Sequence, residues 1–156
     1  MKKKINLFPL LGICAVVLTG AIFGMLAFTA LKNGSGEAFT GYDFAFGNNA
    51  VRATSNGGFV GAFVLAIIAG FFQILGVVFG FGQGPRKFAG FLHFVAGLAL
   101  VAAAVLLFLG KVLVGEFIPG ESLTLGWGLL AAGGCAAASA LLSLVNGASK
   151  LFSKAK

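Results

Sequence analysis

The sequence predicts an all-α integral membrane protein, a bundle of four transmembrane helices with a short β-like segment in its first outer loop. Three observations carry this. Of 156 residues, 59% are hydrophobic and only 10% are charged, whereas about a quarter are charged in a water-soluble domain. Four stretches, 5–31, 58–81, 88–110 and 123–145, contain no Asp, Glu, Lys or Arg and reach the roughly 20 residues a helix needs to cross hydrocarbon. The charges are also sorted by position. Lys2, Lys3, Lys4, Arg86, Lys87, Lys150, Lys154 and Lys156 fall at one end of the predicted bundle, while Lys32, Arg52, Lys111 and all four acids, Glu37, Asp43, Glu116 and Glu121, fall at the other.

A backbone inside lipid has to satisfy its own hydrogen bonds, so long apolar runs without strand alternation read as helices. The many short alternating segments of a membrane barrel are missing. One domain, 1–156, accommodates all four spans. Basic residues near span ends stay on the cytoplasmic side, which predicts both termini inside and assigns the net charge of +7 to topology rather than to nucleic acid. A competing reading takes the basic start and first apolar run as a secretory signal peptide. That run exceeds the usual h-region of about 7–15 residues and lacks a small-x-small cleavage site. Leu11-Gly12-Ile13-Cys14 also fails as a lipid-attachment box, because Ile13 is bulky. The first span is therefore expected to be retained.

Between the first two spans lies a long outer segment, 32–57. Within it, Phe39 to Gly47 alternates, with Tyr42, Phe44 and Phe46 on one side and Asp43 and Ala45 on the other. This is a strand signal between glycines. Three rings on one face are too apolar for water, so the segment is expected to fold as a lid near Phe59, Trp127 and Phe117-Ile118, with Asp43 facing water; the alternative is that Tyr42, Phe44 and Phe46 form an outer-loop contact surface that binds something apolar. The second and third spans form a hairpin through Gly82-Gln83-Gly84-Pro85-Arg86-Lys87. The segment 111–122, with its Pro119-Gly120 turn signal, is expected to lie along the membrane interface before the fourth span begins.

Helices in lipid associate through small residues that let backbones approach. The second span carries Ala62, Ala66, Ala69, Gln73, Gly76, Gly80 and Gly84 on one face. The fourth carries Ala131, Cys135, Ser139, Ser143 and Gly147, and the first adds Gly20-x-x-x-Gly24. These ridges are expected to pack within the bundle, a homo-oligomer interface being the alternative. Gln73 and His93 are the strongly polar interruptions of the spans, and they lie 11 residues before and 9 residues after Gly84. At about 1.5 Å per residue they share a depth. They are expected to form an interior polar pair, an interhelical hydrogen bond worth about 0.6–2 kcal/mol; the alternative is a proton, metal or ligand site. Cys14 and Cys135 sit in apolar runs, where a thiol is a small hydrophobe. Tyr42 and Trp127 read as interfacial anchors.

A basic start, the loop element Gly41-Tyr42-Asp43-Phe44-Ala45-Phe46-Gly47 and three further Gly- and Phe-rich spans resemble the small uncharacterised four-span (tetraspan) membrane proteins of Gram-positive bacteria. The resemblance implies a multi-pass plasma-membrane protein and no particular activity or ligand. The Trp, Gly-Leu-Trp and paired-Cys loop signature of the claudin-like tetraspans is missing.

An enzyme needs a nucleophile with a base, a carboxylate pair or a metal site. In this sequence the four acids all lie outside the spans and there is one His, so no catalytic, cofactor or metal residues are assigned. Gly80 to Gly84 follows no strand and lacks the Lys-Ser/Thr of a nucleotide loop. The expected role is non-enzymatic, a structural, assembly or accessory subunit whose partners are the lipid bilayer and another membrane protein or a second copy. The alternative is a small transport or lipid-handling protein with an apolar cavity under the outer loop.

Overall fold

The computed structural model describes residues 7–51, 53–81, 86–115 and 122–152. Among them are four helices long and apolar enough to cross a membrane: α1 (Leu7–Leu26), α3 (Gly57–Phe81), α4 (Arg86–Phe108) and α6 (Trp127–Leu151). The chain is a multi-pass membrane protein of four spans. Successive spans run antiparallel, so α1 begins and α6 ends at the same end, called here the terminal end; the opposite end carries the long loop. Helix α4 packs on α3 and α6, and α1 closes the ring against the same two helices.

Each span buries one stripe and leaves the rest to lipid. In α3 the buried stripe is Phe59, Ala62, Phe63, Ala66, Ala69, Gln73 and Gly76, whereas Ile67, Phe71, Ile74 and Val78 point outward. Helices α4 and α6 cross with their backbones close together. A Cβ on Gly147 would lie 2.7 Å from the Phe94 amide nitrogen, and one on Gly90 would lie 3.0 Å from the Gly147 carbonyl. Only glycine permits backbones that near.

The loop end is closed by a small sheet and a short helix. Strand β1 (Thr29–Lys32) lies between β2 (Ala38–Thr40) and β3 (Thr124–Leu125), antiparallel to both. Leu31 pairs with Phe39 on one side and Leu125 on the other. Because β3 immediately precedes α6, this sheet ties the loop after α1 to the segment before the last span. Helix α2 (Gly41–Phe46) follows β2, a short 3₁₀ turn occupies Asn49–Val51, and α5 (Gly110–Gly115) follows α4.

Three boundaries differ from the sequence expectation. The first helix stops at Leu26, five residues before the expected Leu31, and Thr29–Lys32 is a strand with Ala30 and Leu31 fully buried. A continuous apolar run reads alike whether it is one helix or a helix followed by a buried strand. The last span is shifted, running from Trp127 to Leu151 rather than 123–145. It passes through Asn146 because that side chain faces the bundle interior. The expected β-like segment Phe39 to Gly47 is strand only through Thr40; from Gly41 it is helix. Thr40 and Asp43 form a reciprocal N-terminal cap, and this local chemistry overrides the alternation of aromatics. Lys2, Lys3, Lys4, Arg52, Gly82, Gln83, Gly84, Pro85, Glu116, Phe117, Ile118, Pro119, Gly120, Glu121, Ser153, Lys154 and Lys156 lie outside the described residues.

Candidate functional site

Polar side chains gather on the bundle axis in its terminal half. Thr19 of α1, Gln73 of α3, His93 of α4 and Ser139, Ser143 and Asn146 of α6 are all buried, Gln73 and His93 with 0% exposure. From Ser139 to Asn146 the helix advances about 10 Å. Toward the loop end the axis becomes apolar, filled by Ile22, Leu26, Phe59, Leu107 and Leu129.

Gln73 is saturated. Its Nε2 donates to Ser139 Oγ at 2.9 Å and to Ser143 Oγ at 2.8 Å, and its Oε1 accepts from the Thr19 hydroxyl at 2.8 Å. Ser139 Oγ lies 2.7 Å from the Ala15 carbonyl and 2.8 Å from Thr19 Oγ1. A primary amide has two N–H donors, and both are used. The network therefore joins α1, α3 and α6 across the core.

This arrangement corrects the expected Gln73–His93 pair. Both residues reach the interior, but no hydrogen bond joins them: the amide of Gln73 turns to α1 and α6, and neither ring nitrogen of His93 has a partner among the described residues. The imidazole instead fits between two glycines. A Cβ on Gly12 would lie 3.2 Å from Cε1 and Nε2, and one on Gly76 would lie 2.8 Å from Cδ2 and 2.9 Å from Nε2. Equal depth was legible in the sequence; the serine ridge that captures Gln73 was present there too, read as helix packing rather than as an acceptor set.

Phe8 covers this layer toward the terminal end. Its ring meets the His93 ring edge-to-face at 5.5 Å, and Lys150 Nζ stands 3.6 Å from its centroid. The Phe8 carbonyl accepts from Asn146 Nδ2 at 3.3 Å, while Asn146 Oδ1 has no partner among the described residues. A buried polar atom left unmet costs about 1–3 kcal/mol.

The small-residue ridges are used inside the bundle. A Cβ on Gly76 would strike His93 and one on Gly80 would strike Phe8. Ser139 is in the network, and Ala131 and Cys135 are half-buried. Gly84 lies outside the described residues. Gly20 and Gly24 differ: a Cβ on either would meet nothing within 4 Å. Gly20 also lines an outward groove of about 360 Å³ between α1 and α3, with Val16, Phe23, Ile67, Gly70 and Phe71.

At the loop end the aromatic trio splits. On helix α2, Tyr42 and Phe46 are one turn apart and Phe44 points the other way. Phe44 is buried against Phe39 and Phe59, with centroids at 5.6 and 5.3 Å. The Tyr42 hydroxyl donates to the Phe23 carbonyl at 2.9 Å, satisfying an acceptor that the end of α1 leaves open. Phe46 stands 71% exposed, with its ring centroid 6.2 Å from that of Tyr42 and 5.4 Å from that of Phe63. The expected covering of all three rings is thus corrected for Phe46, because a helix cannot aim residues 42, 44 and 46 at one surface. Trp127 is not part of this cluster and packs on Phe28 at 4.5 Å.

Asp43 holds the cap together. Its carboxylate accepts from the Thr40 amide at 2.7 Å, the Thr40 hydroxyl at 2.8 Å and Asn48 Nδ2 at 2.7 Å. Partial burial works against the charged form, but the hydrogen bonds from Asn48 and Thr40 outweigh it and hold Asp43 below its ordinary range.

No protein-family model matches the chain, and no curated protein or solved structure matches it.

Proposed function

We propose that this chain is a non-enzymatic tetraspan of a bacterial plasma membrane, with both termini cytoplasmic, that serves as a structural, assembly or accessory subunit through its lipid-facing surface. The observation that carries the reading is the pair Gly20 and Gly24. On the other ridges Gly76, Gly80, Ser139, Ser143 and Gly147 are occupied within the bundle, whereas these two glycines, one turn apart on α1, face outward with open space at both Cβ positions. Such a pair lets a neighbouring helix approach closely. Its partner is a helix of another membrane protein or of a second copy.

The test is a Gly20→Leu, Gly24→Leu variant. The added side chains enter open space, so the thermal midpoint in detergent is expected to stay within a few degrees of the parent. Cross-linking and co-purification from native membranes are expected to lose the associated species. Association that survives both substitutions refutes the reading.

A second reading, a small transport or lipid-handling protein, draws on the α1–α3 groove and on Phe46 exposed above it. It predicts movement of a labelled phospholipid or solute across reconstituted vesicles. On the favoured reading those vesicles match protein-free controls.

A further inference from the structure

The terminal end of the bundle carries positive charge that no acid of the chain answers. All four acids lie in 32–57 and 111–122, and the spans and the segments 1–6, 82–85 and 152–156 contain none. Two of the cations there are brought together from different helices. Arg86 is the first residue of α4 and Lys150 the last but one of α6, so both stand where a span leaves hydrocarbon. Arg86 lies one turn before Gly90, on the same face of α4, and a Cβ on Gly90 would lie 2.7 Å from Lys150 Cβ. The glycine thus lets α6 carry Lys150 in beside the turn that begins with Arg86, and the two charges repel each other. Lys150 is half-buried, with its Nζ drawn to 3.6 Å from the Phe8 ring centroid, whereas Arg86 is exposed. A ring face is only a partial counter-charge for an ammonium.

We propose that Arg86 and Lys150 together bind the phosphate of an anionic phospholipid headgroup, one lipid per chain, at the terminal end of the α4–α6 crossing. Retention of a basic flank requires only that cations stand near span ends, which the exposed Lys87 already does. Setting two cations side by side across a glycine crossing adds a repulsion, and a phosphate turns that repulsion into attraction for both. The guanidinium offers a planar fork of N–H donors that matches two phosphate oxygens, and the ammonium adds a point charge. Both groups stand at headgroup level, where basic sites between spans take up anionic headgroups. The lipid's own chains keep its phosphate at this level, whereas free phosphate has to be drawn from bulk water, so the higher effective concentration belongs to the lipid.

The test is native mass spectrometry of the full chain, in an uncharged detergent and without a charged tag, titrated with phosphatidylglycerol or with phosphatidylcholine of the same acyl chains. The parent is expected to retain one phosphatidylglycerol about ten-fold more tightly than phosphatidylcholine, and an excess of inorganic phosphate is expected not to displace it. Arg86→Gln, a change at an exposed position, is expected to weaken the preference, and Arg86→Gln with Lys150→Gln to abolish it. Lys2→Gln with Lys3→Gln removes as much charge and is expected to leave the preference intact. Equal retention of the two lipids by the parent overturns the proposal before any variant is made. An unchanged preference in Arg86→Gln, or an equal loss in the two charge-matched pairs, would mean diffuse attraction to a basic surface and also overturns it. Displacement by inorganic phosphate would mark a site for a free anion and refute the lipid as occupant.

Discussion

Gln73 and His93 are both fully buried and at similar depth, yet their surroundings differ. Three hydroxyls converge on Gln73, and removing its amide takes a partner from each, although Ser139 and Thr19 keep the Ala15 carbonyl and one another. Gln73→Leu is expected to destabilise the bundle by about 1–3 kcal/mol, measured by reversible unfolding in mixed micelles. Since no bond joins the two residues, the effects of Gln73→Leu and His93→Leu are expected to add to within about 0.5 kcal/mol. Strong coupling between them would restore the direct pair that the sequence suggested. Their shared depth follows from counting residues on either side of a turn. Their separation does not, because it depends on which neighbour the Gln73 amide chooses. Asp43 supplies a residue-scale effect of another kind. Its folded pKa lies below the ordinary 3.8, so the native state binds the proton more weakly than the unfolded chain. The carboxylate therefore stabilises the fold at neutral pH, and that stabilisation is lost as pH falls through 3.8 toward the lower folded value. Asp43→Asn is expected to flatten the acid limb of a plot of unfolding midpoint against pH.

Among the elements, α2 shows how local chemistry redirects a sequence pattern. Phe39 to Gly47 alternates as a half-buried strand does, but Thr40 and Asp43 stand three apart, the spacing of a helix cap, and the backbone turns helical between them. The consequence is an unequal division of the rings. Phe44 fills a socket between Phe39 and Phe59, whereas Phe46 remains on the surface. Phe44→Ser is expected to cost about 3–5 kcal/mol, the range for emptying an aromatic site in a core, and Phe46→Ser less than about 1 kcal/mol. Equal losses, read from thermal unfolding of the two single variants, would mean that Phe46 is covered as well. The four spans were legible in the sequence because lipid leaves a crossing backbone no alternative to the helix. The ends were not. There the chain returns to water, where turn and cap residues compete with apolar content, and Thr29–Lys32 joins a sheet whose third strand lies about ninety residues away.

At the scale of the molecule the two halves of the bundle have different interiors. The terminal half is held by a network linking α1, α3 and α6, and the loop half by apolar side chains beneath a sheet and helix that connect both loops. The loop is anchored at several points. Tyr42 bonds the end of α1, Asn56 Nδ2 donates to the Leu113 carbonyl at 3.0 Å, and the Gly126 amide donates to the Ala30 carbonyl at 2.7 Å. Such a cap moves with the helices, so its sidedness is that of the whole bundle. The proposed sidedness rests on charge: in the sequence, eight basic residues and no acid lie in the segments before the first span, between the second and third, and at the end of the fourth, against three basic and four acidic residues in the other two segments. Basic flanks are retained in the cytoplasm, so the orientation we propose has the loop outside. The cleanest measurement uses single cysteines in a background with Cys14 and Cys135 replaced by Ala, since Cys14 is exposed on the lipid face. Ser35 and Ser122 are both exposed at the loop end, and as cysteines they are expected to react with an impermeant maleimide added to intact cells. Ser153→Cys is expected to react only after the membrane is opened. Labelling of Ser153→Cys in intact cells, with Ser35→Cys protected, would invert the bundle and place the capped loop in the cytoplasm.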